Sequence, residues 1–176
     1  MTVEIDITHS SPRWVAALVD SAGLCRRAAA AALDEAVEGL PEATGRPVEV
    51  SIVLADDRSV ADLNLQFRGR EGATNVLSFP ALAAEDGPFD PPGADVPPVL
   101  LGDVVLAFET IAAEADDQGK TLADHCSHLV VHGILHLLGY DHLDSAEAKI
   151  MEQVEIRALG ALDVADPYAE EQPFVA

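Results

Sequence analysis

His132-Gly-Ile-Leu-His136-Leu-Leu-Gly139-Tyr-Asp-His142 is the stretch around which this 176-residue chain is organised. Read as a helix over 121–138, it sets His132 and His136 four residues apart on one face, with Cβ atoms roughly 5 to 6 Å apart. That gap suits two nitrogens meeting one metal ion. Gly139 supplies the stop, because glycine enters the left-handed conformation after a helix without a Cβ penalty, and the turned chain brings His142 back as a third ligand.

Five of the six histidines fall between positions 125 and 142. At about 100° per residue His125, His128, His132 and His136 form one narrow stripe, and Leu129, Val130, Val131, Ile134, Leu135, Leu137 and Leu138 cover the other sides. A helix apolar nearly all round belongs in a core. Unpaired imidazoles buried there would cost on the order of 1 to 3 kcal/mol each, so they must coordinate metal or hydrogen-bond. His132, His136 and His142 are the expected ligands, since a catalytic zinc site has three protein ligands and a fourth position for water. Nickel, copper and iron also accept imidazole nitrogen. His128 and His125, one and two turns earlier, either line the same groove or serve as plain helix residues. The spacing equals that of the metzincin proteases, H-E-x-x-H-x-x-G-x-x-H, except that Gly133 stands where they carry glutamate. That glutamate is the general base for peptide hydrolysis, and glycine has no side chain to replace it.

Outward from this motif, four segments read as strands and about five as helices. Val3, Ile5 and Ile7 alternate with acids, as do Val48, Val50, Ile52 and Leu54 with their neighbours; Val76–Phe79 and Leu101–Phe108 are two further strands. Residues 12–40 predict one or two helices with Gly23 a candidate break and Gly39-Leu-Pro41 a stop. A helix over 59–67, capped by Asp56 or Asp57, should turn Val60, Leu63 and Phe67 inward and deliver Arg68 and Arg70 to a glycine-containing loop. Helices over 109–118 and 145–159 complete the set, the last with Ile150, Val154 and Leu159 inward. Residues 80–98, with six of the chain's 11 prolines, read as an irregular surface loop, and the acidic tail over 169–176 as frayed.

The length fits one domain, and no apolar run approaches the 18 or more residues of a membrane span; the N-terminus has no basic start followed by an apolar stretch, so export is not expected and the cytoplasm is the default. Cys25 and Cys126 have no CxxC partner and read as small buried hydrophobes. Arg26-Arg27 read as exposed helix charge. Ten basic against 31 acidic residues give a net charge of −21, which excludes coating nucleic acid by bulk electrostatics, so a phosphate partner must be met locally.

Leu63-Asn64-Leu-Gln-Phe67-Arg68-Gly69, Thr74-Asn75-Val-Leu-Ser-Phe-Pro80, Leu101-Gly-Asp103 and the histidine motif together resemble the YbeY family of rRNA-maturation endoribonucleases, in order over roughly residues 48–168 down to Asp166-Pro-Tyr168. The resemblance implies one α+β domain over 1–176, with a small mixed four-stranded sheet flanked by helices and a zinc site at a central buried helix. It implies one Zn²⁺ on His132, His136 and His142 plus water or substrate, and a catalytic Arg68. A guanidinium is always charged and grips phosphate oxygens bidentately, which suits a phosphodiester transition state. The implied substrate is single-stranded RNA, the 3′ region of precursor 16S rRNA, and the implied partners are the small ribosomal subunit and ribosomal or assembly proteins. Ala73 departs from the proline the family often has before Thr-Asn, which bears on the rigidity of that turn. Two other classes compete: a nonenzymatic ribosome-assembly factor with a structural metal, and a metzincin-like protease with an unconventional base.

Overall fold

Alternating apolar residues build the first two of four strands, and shorter or more continuous apolar runs build the other two, in a computed structural model that describes residues 2–36, 47–81 and 98–169. The elements run β1 (Val3–His9), α1 (Arg13–Ala17), α2 (Ser21–Glu35), β2 (Val48–Ala55), α3 (Asp57–Arg68), β3 (Val76–Pro80), β4 (Val99–Ala107), α4 (Phe108–Asp117), α5 (Leu122–Leu137) and α6 (Ser145–Gly160). The sheet order is β1-β2-β4-β3, with β1 and β4 parallel to β2 and β3 antiparallel to β4, so the α+β class and the mixed four-stranded sheet agree with expectation. Where β2 meets β4 the register shifts between Glu49 and Val50, and Gly102 absorbs the irregularity at φ 130°. A Cβ there would collide with the Phe79 carbonyl, so only glycine fits.

Strand periodicity sorts the sheet's two faces. Val48, Val50, Ile52 and Leu54 of β2, with Val104 and Leu106 of β4, enter the main core under α2 and α5. Ala55, Leu77, Val105 and Ala107 point the other way and meet Val60 of α3 in a smaller cluster. Helix α2 presents Cys25, Ala28, Ala29, Ala32 and Leu33 at 3 and 4 spacing, small side chains that let it lie close on α5 and α6. Helix α5 also touches β3, β4 and α4, and so occupies the centre of the molecule.

Several expectations need correction. The first helical stretch is two helices, one of the two expected forms, but the break falls at Leu18–Asp20 and not at Gly23, which lies inside α2 beside the Asp20 carboxylate; the described residues form six helices in all. Phe67 and Ile150 are 61% and 56% exposed, because α3 and α6 each bury a narrower face than helical phase suggests. The Gly39–Pro41 stop, nearly all of the proline-rich stretch and the tail from 170 lie outside the described residues. Among the described residues no helix is long and apolar enough to cross a membrane. Cys25 and Cys126 are free and buried, as expected.

Candidate metal centre

Both ends of α5 are fixed by local chemistry. At its start the Thr121 hydroxyl accepts from Asp124 N–H at 3.0 Å. At its end Gly139 takes φ 89°, Gly139 N–H donates to His136 O at 3.1 Å and Tyr140 N–H to Leu135 O at 3.0 Å. That paired 5→2 and 6→1 closure turns the chain back on itself, as expected of this glycine. Asp144 then starts α6 by accepting from Ala146 and Glu147 N–H at 2.9 and 2.8 Å. His142 is thereby held in a short exposed loop over the end of α5, and one nitrogen each of His132, His136 and His142 lies within 4.8 Å of the other two.

These nitrogens fit a single cation. His132 Nε2 and His136 Nε2 are 3.0 Å apart, close to the separation of about 3.3 Å expected for two ligands bound tetrahedrally at 2.0–2.1 Å from zinc. The other nitrogen of His132 is already committed: Nδ1–H donates to Glu155 Oε1 at 2.6 Å, so the Nε2 lone pair faces the trio. Glu155 is fully buried on α6, and its second oxygen accepts from the Tyr168 hydroxyl. Burial works to raise the Glu155 carboxyl, but the imidazoles of His128 and His132, the Tyr168 hydroxyl and the charge of His132 outweigh it and bring it down to about 2. Burial also lowers His136, aided by the charges of His132 and His142, which keeps it in the neutral form that a metal requires. A cavity of about 150 Å³ lined by His132, His142, Met151, Glu152, Glu155 and Tyr168 lies beside the trio. A larger groove of about 550 Å³ lies over Glu4, Asp6, Glu49, Ser51 and Asp103; it carries four carboxylates and no histidine, so it repels phosphate.

Gly133 has a packing role that its place in the motif did not disclose. A Cβ there would stand 2.7 Å from Val104 Cγ1 and 3.2 Å from Ser78 Oγ, so α5 lies on the sheet at this residue. Ser78 Oγ donates to Gly133 O at 3.0 Å. The position where a metzincin places its glutamate is therefore filled by β3 and β4. On the same residue, Ser78 O accepts from Arg68 Nη2 at 3.1 Å. Arg68 thus bonds to the strand that supports the histidine helix, rather than to the histidines.

The other two histidines of the stripe separate. His125 is 4% exposed and bonds to Glu114 at 2.7 Å, and Glu114 in turn accepts from Asn75 Nδ2. It is a structural residue linking α5, α4 and β3. His128 points toward the site, with Nε2 3.5 Å from the Tyr168 hydroxyl and 3.8 Å from Glu155 Oε2. Sequence reasoning missed Glu155 and Tyr168. The signal for Glu155 was present, because a carboxylate among Met151, Val154, Ala158 and Leu159 on a buried helix face needs a partner.

The family described as Endoribonuclease YbeY matches residues 21–163. The chain belongs to the YbeY endoribonuclease family. An Endoribonuclease YbeY from Paramagnetospirillum magneticum is 56% identical over 171 residues, covering 97% of this chain and 99% of the relative. That of Rhodospirillum rubrum is 53% identical, covering 89% and 74%, and that of Sphingopyxis alaskensis 45% identical, covering 93% and 96%. The solution structure of TM1509 from Thermotoga maritima shares the fold with a TM-score of 0.55 at 20% identity, over 98% of both chains.

Proposed function

We propose that this chain is a zinc-dependent, single-strand-specific endoribonuclease acting in the cytoplasm on the 3′ region of precursor 16S rRNA, in ribosome maturation and quality control. The observation that carries the metal-dependent part is the His132 pair: Nδ1–H is taken by buried Glu155 while Nε2 faces His136 Nε2 at 3.0 Å. The relatives' name, Endoribonuclease YbeY, supports RNA as the substrate.

A zinc ion bound there would supply Lewis acidity toward a phosphoryl oxygen and the attacking hydroxyl. The chain's own residues divide the remaining work. The imidazoles of His132, His136 and His142 would hold the ion, and Glu155 fixes the orientation of the His132 ring. Arg68 is exposed and spends one of its five N–H donors on the neutral Ser78 carbonyl, which leaves a full charge and several donors for phosphate. It is the proposed catalytic residue, stabilising charge that builds on the phosphoryl oxygens. The net charge of −21 implies weak affinity for naked RNA, so docking on the small ribosomal subunit, through ribosomal or assembly proteins, would bring substrate to the site.

Replacing Arg68 tests this directly. Arg68→Ala should reduce cleavage of single-stranded RNA by about 10²–10³-fold, the effect of removing one transition-state donor. Its zinc content, by elemental analysis, and its melting temperature should stay those of the parent. Cleavage that survives Arg68→Ala yet vanishes on rigorous removal of contaminating nucleases would mean a nonenzymatic assembly factor instead.

A further inference from the structure

Phe67 lies at the C-terminal turn of α3, in phase with Val60 and Leu63, yet 61% of it is exposed. The ring is held in place. Phe79 of β3 meets it edge-on, with centroids 5.4 Å apart and planes at 64°, and Phe79 itself packs on the smaller core cluster. The chain that follows is braced too. Gly69 and Gly72 turn it at φ 62° and 88°, and Asn64, only 6% exposed, donates to Gly72 O at 2.9 Å. This turn carries Arg68 and Arg70, with Glu71 its one carboxylate. Among the described residues neither arginine forms an ion pair, and nor do Arg26 and Arg58, whereas Arg13, Arg27 and Arg157 are paired with Glu109, Asp20 and Glu35. In a chain of net charge −21, residues 63–70 hold two cations and no acid.

A braced aromatic ring left in water, followed within three residues by two exposed arginines that form no ion pair among the described residues, calls for a partner that is planar, apolar on its face and anionic at its edge. An unpaired nucleotide meets all three requirements: the base stacks and the phosphate pairs. A purely apolar protein partner would leave both arginines without counterions. The aromatic pair is also linked to the histidine helix across the edge strand β3. Ala107 N–H bonds to Asn75 O, so by alternation Ser78 O faces away from β4 on the open edge of β3, where Arg68 binds it. Ser78 Oγ meanwhile contacts Gly133, between His132 and His136. One strand residue therefore connects the aromatic pair to the histidine helix. We propose that Phe67 is a stacking platform for one unpaired base of the RNA, with Arg68 and Arg70 meeting the phosphates beside it. This rests on the endoribonuclease reading and adds to it a nucleotide subsite away from the metal.

The test uses the full zinc-loaded chain, a short single-stranded RNA, and copies of that RNA each carrying one abasic nucleotide. Phe67→Ala should raise KM about tenfold, as expected for the loss of one stacked base, with kcat little changed, and Phe67→Trp should restore it. One abasic position should cost the parent a similar factor and cost Phe67→Ala nothing. Phe67→Leu keeps apolar volume but removes the π face; it should behave like the alanine variant, and it decides the matter if Phe67→Ala melts early. An unchanged KM, or an abasic penalty equal in parent and variants, would overturn the platform. If the parent cleaves no RNA, the endoribonuclease reading fails separately, and fluorescence anisotropy of the same oligonucleotides then decides the platform by the same pattern of losses.

Discussion

The two sides of β3 handle polarity in opposite ways. On one side, α5 and α6 bury imidazoles and a carboxylate, and most of their polar atoms find close partners, His132 in Glu155, Glu155 in Tyr168 and His125 Nε2 in Glu114, while Nδ1 of His125 and of His128 is buried without a hydrogen bond among the described residues. On the other side the last turn of α3 and the turn that follows it leave an aromatic ring and two arginines in water, with Arg68 tied to a single carbonyl. Buried polar groups must be satisfied within the protein because water is absent, whereas exposed cations can wait for an external anion. The first arrangement suits holding a resident ion, the second suits a substrate that comes and goes. Substitutions on the α5–α6 side should therefore alter the metal, and those on the α3 side should alter RNA handling with the metal intact.

The strongest break in this division is loss of a ligand. His136→Ala leaves two imidazoles, and elemental analysis after dialysis should find zinc lost from the protein; full retention would remove the trio from consideration. Glu155→Gln keeps the shape but removes the charge that holds His132 Nδ1–H. Zinc affinity, by competition with a chromophoric chelator, should fall about 10- to 100-fold, while the KM for RNA at saturating zinc stays near that of the parent. Equal zinc affinity would make Glu155 a packing residue only. Gly133→Ala tests the seam between the two sides. Its Cβ would press on Val104 and Ser78, and overpacking of this kind costs about 1–3 kcal/mol, a fall of several degrees in melting temperature. A variant as stable as the parent would show that α5 can lift from the sheet.

The smallest effect concerns His125. Burial holds its pKa below the ordinary 6.5, despite the hydrogen bond and charge of Glu114 acting the other way. As pH falls, the unfolded chain takes up this proton before the folded one. The stability associated with a neutral His125 is thus present above about 6.5 and is lost as pH falls from there toward the folded value. His125→Gln should lose less melting temperature than the parent between about pH 7.5 and 5.5. Parallel losses would show that His125 does not contribute to acid sensitivity.

Much of the fold and half of the site could be read along the chain because their causes are local. Strand alternation located β1 and β2; Thr121, Asp56 and Asp144 cap their helices through side chains two or three residues from the N–H groups they accept from. Four-residue spacing brings His132 and His136 together, and a positive φ at Gly139 returns His142. Helical phase alone failed at Phe67 and Ile150, because phase gives a direction around the helix axis and not the width of the surface that comes to cover it. Glu155 lies 23 residues from His132, so its role depends on how α6 crosses α5.

The sequence by itself determined the histidine trio, the caps and turns that present it, and an overall charge unsuited to coating RNA. Tertiary structure alone decided that Glu155 and Tyr168 stand behind His132, that Gly133 is small because β4 lies against it, and that Phe67 stays in water beside Arg68. The first set follows from interactions a few residues apart, where backbone geometry dictates who meets whom. The second arises where helices pack on a sheet, and that placement is settled only when the whole core closes.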